Sequence, residues 1–379
     1  MNLGSQRDLF EIPDDIAYLN CAYMSPQLRR AREIGERAVS RKSRPWEITP
    51  DDFFEDVEVV RTLFARLVGA DADGVAVIPS VSYGISVASA NVPVCEGEKI
   101  IILEDQFPSN VYSWRELASR EGAVLVTVPR PEDSDWTGVL IEEIDDGTAV
   151  VAVPNCHWTD GSLVDLSQVG ERAREVGAAL VIDGIQSIGA LPFDVSEVRP
   201  DFLIAASYKW LLGPYGVGFM YVDDKHRDGQ PIEHNWVNRH KSEAFSQLVD
   251  YQDAFQPGAR RYDVGERSNF VLLPMAAEAL RQILDWEVEN VSETIGTLTD
   301  VIEQEATVRG IATIPKERRA RHLIGLMLGP DAPADLATRL MRHAVFVSVR
   351  GPSVRVSPHL YNTEEDIERF FDVLETVAD

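Results

Sequence analysis

Three scarcities bound what this chain of 379 residues can be. Cysteine is rare: Cys21, Cys95 and Cys156 are scattered, without the short spacings of a metal site, and three thiols cannot build a disulfide framework. A reducing, cytoplasmic setting is expected, with no metal. Positive charge is also short, with 36 Lys and Arg against 62 Asp and Glu and a net charge of -26. A nucleic-acid backbone demands clustered cations, so that class of partner is not expected. Long apolar runs are missing, since no stretch approaches the roughly 18 residues that suggest a membrane span. The opening MNLGSQRDLFEIPDD lacks a basic segment leading into an apolar one, so no signal peptide is expected either.

The remaining composition, 45% hydrophobic and 26% charged, is that of an ordinary globular chain long enough for a large domain and a smaller one. Residues 1–50 read as an N-terminal arm, with turn chemistry in YLNCAYMSPQ and a basic helical run from Leu28 to Lys42. Apolar residues at helical spacing predict an amphipathic helix over DDFFEDVEVVRTLFARLVGA. Then apolar strands alternate with helices: GVAVIPS, KIIILED, AVLVTVP, TAVVAVPN, AALVIDG, DFLIAAS and GVGFMYV read as strands. Strands apolar throughout and separated by helices imply an α/β fold with a largely parallel sheet covered on both faces. Ligands bind such sheets beyond the carboxyl ends of the strands, where Ser80, Asp105, Asn155, Asp183 and Ser207 fall. The large domain is placed at 51–270, with a long loop over 226–259. Residues 271–379 hold a long helical stretch over 274–306 and a small C-terminal domain.

Two residues carry the chemistry jointly. Alone, Lys209 in AASYKWLLGPYGVG reads as a surface lysine at a strand end, and Asp183, closing LVID, as a turn or cap residue. Together, on successive strands, they match what pyridoxal phosphate needs: an amine for its aldehyde and a carboxylate that keeps its ring nitrogen protonated. Val81 and Ser82 stand where a strand yields to a helix, so backbone N–H groups there suit a phosphate. Ser80 and Ser82 can equally cap that helix.

VIDGIQSIG, SYKWLLGPYGVG and RVSPHLYN resemble the class V aminotransferases, a family of fold-type-I pyridoxal enzymes that includes cysteine desulfurases, kynureninase and isopenicillin N epimerase. The likeness runs from YLNCAYMSP to RVSPHLYNTEEDI. It implies a mostly parallel sheet of the seven-stranded type with a smaller α+β C-terminal domain. It also implies Lys209 as the Schiff-base lysine, Asp183 as the pyridinium partner and Gln186 on the cofactor's phenolic oxygen. Tyr208 is implied at the phosphate, Phe107 stacked on the ring, and Trp158 donating its indole N–H near the phenolic oxygen. Arg355 is implied on the substrate α-carboxylate, and Ser268 and Asn269 in a partner subunit's phosphate site, hence a homodimer with shared sites. His157 carries little weight, a lone histidine being more often structural. Desulfurases carry a nucleophilic cysteine shortly before the carboxylate-binding arginine, but here VFVSVRGPSVRV has none, so persulfide formation is not expected. The substrate is then an amino acid. Phe107 and the SYK motif lean towards a kynureninase-like or C–S lyase reaction, with transamination next, then epimerisation or a non-catalytic binding protein.

Overall fold

The computed structural model describes residues 2–329 and 332–377. The chain runs through β1 (Ala17–Tyr18), α1 (Arg29–Arg41) and α2 (Glu55–Leu67) into alternating strands and helices. These are β2 (Val75–Ile78), α3 (Val81–Asn91), β3 (Lys99–Leu103), α4 (Tyr112–Glu121), β4 (Val124–Val128), α5 (Trp136–Glu143) and β5 (Thr148–Pro154). Next come α6 (Leu166–Val176), β6 (Ala179–Asp183), the short α7 (Val195–Val198), β7 (Phe202–Ala206) and β8 (Gly218–Val222). The sheet order is β2-β8-β7-β6-β5-β3-β4. Only β8 runs antiparallel to its neighbours in it, because a turn rather than a helix joins β7 to β8.

Burial shows why these strands are apolar throughout. All five residues of β6 are buried. Leu180 and Ile182 point into one hydrophobic cluster, and Ala179 and Val181 into another across the sheet. A strand covered on both faces has no solvent side on which to place polar residues.

Two departures from the expected helices have physical causes. The acidic opening of the α2 segment is a 3-10 turn, Pro50–Phe53, closed by a reciprocal cap between Thr49 and Asp52. Phe53 and Phe54 leave the helix register and pack edge-on against Trp236. The long helical stretch is two helices, α8 (Leu272–Trp286) and α9 (Val288–Val308). They break at Glu287, whose φ of 63° no α-helix accepts. The break lets α8 pack on α1 and α2 while α9 packs on β9 (Ala312–Thr313) and β10 (Ile324–Met327).

The C-terminal part continues with α10 (Leu336–Arg342), β11 (Val345–Phe346), β12 (Ser348–Arg350), β13 (Ser353–Val356) and α11 (Glu364–Val377). A four-stranded sheet has the order β12-β13-β10-β9. The arm is tied to this part, because β1 pairs in parallel with β11. Residues 226–259 form a loop with short 3-10 turns, as expected from their lack of period.

Candidate active site

At the carboxyl end of β6 the chain turns through 184–191, and at the end of β7 it turns back towards β8. These two turns press together. A Cβ on Gly189, whose φ is +99°, would lie 2.5 Å from the Trp210 carbonyl oxygen, so only glycine permits the approach. The second turn is held by the Ser207 hydroxyl, which donates to the Pro214 carbonyl at 2.6 Å, and by the Gly213 amide, which donates to the Ser207 carbonyl at 2.8 Å. Asp183 and Lys209 therefore stand at adjacent strand ends, 4% and 6% exposed.

Both ionise against their surroundings. Burial pushes the Lys209 ammonium well below the usual lysine range; the charges of Arg355 and Arg350 push it the same way, while Asp183 opposes them. Burial raises the Asp183 carboxyl; the Ile185 amide, donating at 3.1 Å, and the Lys209 charge pull it back. The Lys209 Nζ lies 5.7 Å from the ring centroids of both Phe107 and Tyr208. Phe107 is 38% exposed, so one side of its ring is open to solvent.

Arg355 is 1% exposed and has no carboxylate partner among the described residues. Its Nη1 donates to the Trp158 carbonyl at 2.8 Å, and its Nε is buried without any partner. A buried guanidinium left this way is costly unless an anion meets it.

Helix α3 starts at the end of β2. Ser80 caps it, its hydroxyl accepting from the Tyr83 amide at 3.2 Å and lying 2.9 Å from the Ser82 hydroxyl. The first-turn amides of Val81 and Ser82 have no intrahelical partner, as at any helix start. Val81 belongs to the apolar cluster against which Tyr208 packs.

Several expected residues are committed elsewhere. The Trp158 indole N–H donates to the Asp105 carbonyl at 2.7 Å, which pins the ring edge-on against Phe107. The Gln186 amide oxygen accepts from Trp210 Nε1 at 3.0 Å, and its nitrogen donates to the Ala22 carbonyl at 3.1 Å, leaving one N–H. The Ser268 hydroxyl donates to the Phe53 carbonyl, and Asn269 caps α8 by accepting from the Val271 and Leu272 amides. Both line a separate cavity of about 530 Å³ with Trp236 and Glu266, so within one chain they are not at the lysine. His157 is a buried structural residue, its ring nitrogens facing the Glu104 carbonyl and the Thr159 hydroxyl.

Some residues at the site escaped the sequence reading. The arm covers it: the Ser25 amide donates to the Tyr208 carbonyl at 3.0 Å, and the Ala22 amide donates to Ser357 Oγ at 3.0 Å. Nothing local in LNCAYMSP signals that closure. His322 Nε2 donates to the Gln186 carbonyl at 2.6 Å, from 136 residues away. Arg350 had a readable signal, the period-2 alternation of VSVRGPSVRV about its Gly-Pro turn, which puts it on the same face as Arg355.

The model of the family described as aminotransferase class-V matches residues 49–370. The chain belongs to the class-V aminotransferase family. Over 324 residues it is 26% identical to the uncharacterized aminotransferase YcbU of Bacillus subtilis (strain 168), covering 84% of this chain and 83% of the relative. It is 26% identical over 370 residues to a kynureninase of Cryptococcus neoformans var. neoformans serotype D (strain JEC21), covering 88% and 79%. Among solved structures, a mutant of C-DES with glycine covalently linked to its PLP cofactor superposes with a TM-score of 0.88. That match is at 17% identity, covering 99% of each chain, and shares the fold.

This class-V protein is therefore a PLP-dependent enzyme. The residues present suit pyridoxal 5'-phosphate: a buried amine, a buried carboxylate beside it, a capped helix start for a phosphate and an orphaned buried guanidinium. Among the described residues no helix is long and apolar enough to cross a membrane.

Proposed function

We propose that this class-V enzyme cleaves a bond at the β-carbon of an amino acid, as a kynureninase-like enzyme or a C–S lyase. When bound, PLP supplies an aldehyde for the amine and a protonated ring that draws electron density from the α-carbon. Asp183 holds the ring N–H, its own carboxylate restored by that cationic partner. The Val81 and Ser82 amides, with Tyr208 nearby, hold the phosphate. Gln186 offers its remaining N–H to the phenolic oxygen, and Phe107 covers the ring and excludes water. Arg355 receives the α-carboxylate on its free Nε edge, which fixes the α-carbon against Lys209. Lys209, its basicity lowered by burial and two arginines, takes the α-proton as a neutral amine. Residues 1–50 act as the covering arm, 51–270 as the cofactor-binding domain, and 271–379 as the linker helix and small domain. A homodimer is part of this reading, with Ser268 and Asn269 as candidates for the partner subunit's phosphate site.

The observation that sets the lyase reading above epimerisation is the ring of Phe107, whose centroid lies 5.7 Å from the Lys209 Nζ. A phenyl ring has no proton to give, so proton movement on that side falls to Lys209, which disfavours epimerisation with its second donor. Transamination is the second reading, supported by the likeness to YcbU.

The test is incubation of the purified holoenzyme with a panel of amino acids, following cofactor absorbance and released products. The expected result is a cleaved side-chain product with the aldehyde cofactor regenerated. Stoichiometric conversion to pyridoxamine phosphate would replace the lyase reading with transamination.

A further inference from the structure

We propose that the substrate carries a second carboxylate on its side chain, and that Arg350 is the residue that selects it. This deepens the proposed function and rests on its reading of Arg355 as the α-carboxylate anchor.

The geometry starts with the hairpin. In β12 and β13, Ser348 pairs with Arg355 and Arg350 with Ser353, so all four side chains share one face. Arg350 and Arg355 are diagonal neighbours there, with Cα atoms roughly 7–8 Å apart. Two arginine side chains rising from one face at that Cα spacing can reach the two ends of a ligand with an acid at each end.

Arg350 is half-buried and, like Arg355, has no carboxylate partner among the described residues. Its Nη1 donates to the neighbouring Val349 carbonyl at 2.8 Å. Its guanidinium lies over the Trp158 ring, 5.6 Å from the centroid. That indole is itself pinned by the Asp105 carbonyl, so the stack holds the charge in place without neutralising it.

Arg350 lines a cavity of about 780 Å³ together with Trp158 and Ser353, whereas Lys209 and Arg355 are not part of that lining and act on Arg350's surroundings through their charges. The Ser353 hydroxyl is buried and has no hydrogen-bond partner. The other charges on this wall are accounted for. Asp160 is taken by Arg130 and by the Ser162 amide and hydroxyl, the last two at 3.0 and 2.8 Å. Asp105 and Glu132 are exposed at the rim, where water screens them. With Lys209 acting as a neutral amine and Asp183 engaged by the ring N–H, the cations left around the amine among the described residues are Arg350 and Arg355. One carboxylate of a bound amino acid leaves this excess half answered; a second answers it.

Calorimetric binding to the holoenzyme separates the possibilities, with glutarate and butyrate as unreactive probes of equal and lesser charge. Wild type is expected to bind glutarate at least about tenfold more tightly than butyrate. Arg350→Gln should erase that preference and leave butyrate binding unchanged, while Arg355→Gln should weaken both. Equal binding of the probes to wild type overturns the proposal. So does an equal loss of both in Arg350→Gln, which would make Arg350 a second anchor for the α-carboxylate. Arg350→Lys guards against misfolding, since it keeps the charge and should retain a partial preference. If the preference depends on Arg350 but Arg355→Gln loses neither probe, the anchor reading fails while the selection by Arg350 stands. Turnover of aspartate and glutamate against 2-aminobutyrate and norvaline then tests the same selection on amino acids.

Discussion

The floor and the outer wall of this site are built by different means. The floor, Asp183 to Ile188 and Ser207 to Gly213, consists of strand ends and two glycine-dependent turns locked by backbone bonds. The wall, Phe107, Trp158, Arg350 and Arg355, comes from a 3-10 turn, a loop and a distant hairpin held together by ring contacts and a few hydrogen bonds. On the floor the Lys209 amine is buried beside Asp183, whose carboxylate accepts from the Ile185 amide. The wall keeps two guanidinium groups in want of an anion. A floor so constrained preserves one cofactor, while a wall assembled from remote pieces can change its substrate.

The comparison breaks most visibly at the floor's amine. Lys209→Ala is expected to lower turnover by about 10²–10⁴-fold, the usual range for losing a general acid–base group. It should also abolish borohydride fixation of cofactor to the peptide containing residue 209. Retained labelling would move the attachment point elsewhere.

At the wall, Arg355→Met should separate function from stability. Losing a charge-assisted hydrogen bond worth about 1.5–3 kcal/mol lowers kcat/KM by roughly 10- to 100-fold. Thermal melting of the protein without substrate should stay level or rise, because an unpaired buried cation has been removed. A fall of several degrees would show the arginine to be a structural brace.

The floor should also be the more acid-sensitive region. Behind it, His322 and His359 are fully buried, and burial pushes them from 6.5 down to about 4 and about 3, with the charge of His322 also acting on His359. Unfolded, both take up protons near pH 6.5, so below that pH the unfolded chain binds more protons than the folded one. Stability is then full above about pH 6.5 and falls as pH drops, by about 1.4 kcal/mol per unit for each histidine. Urea titrations at pH 7 and 5.5 measure the difference, which the raised Asp183 carboxyl partly offsets, and His322→Gln should flatten it.

The smallest effect is expected at Trp158→Phe. It removes the bond to the Asp105 carbonyl and the indole under Arg350, at a cost of about 1 kcal/mol. The change should appear in KM for the preferred substrate, with cofactor affinity unchanged. An equal loss of cofactor would tie Trp158 to the floor.

The sequence alone determined the doubly covered sheet, since strands with no polar face have no other stable arrangement, and with it the placing of Asp183 and Lys209 at neighbouring strand ends. These are local patterns, and the right-handed rules of parallel sheets leave little freedom in assembling them. Tertiary structure decided what lies far apart in the chain. Glu287 broke the long helix so that its halves could serve two cores, and the arm closed over Tyr208. The Trp158 N–H met the Asp105 carbonyl, the Ser268 hydroxyl the Phe53 carbonyl, and the Asn269 amide oxygen the start of α8. Each outcome is a competition for one hydrogen bond or one packing face, and the winner depends on which remote backbone group arrives within about 3 Å.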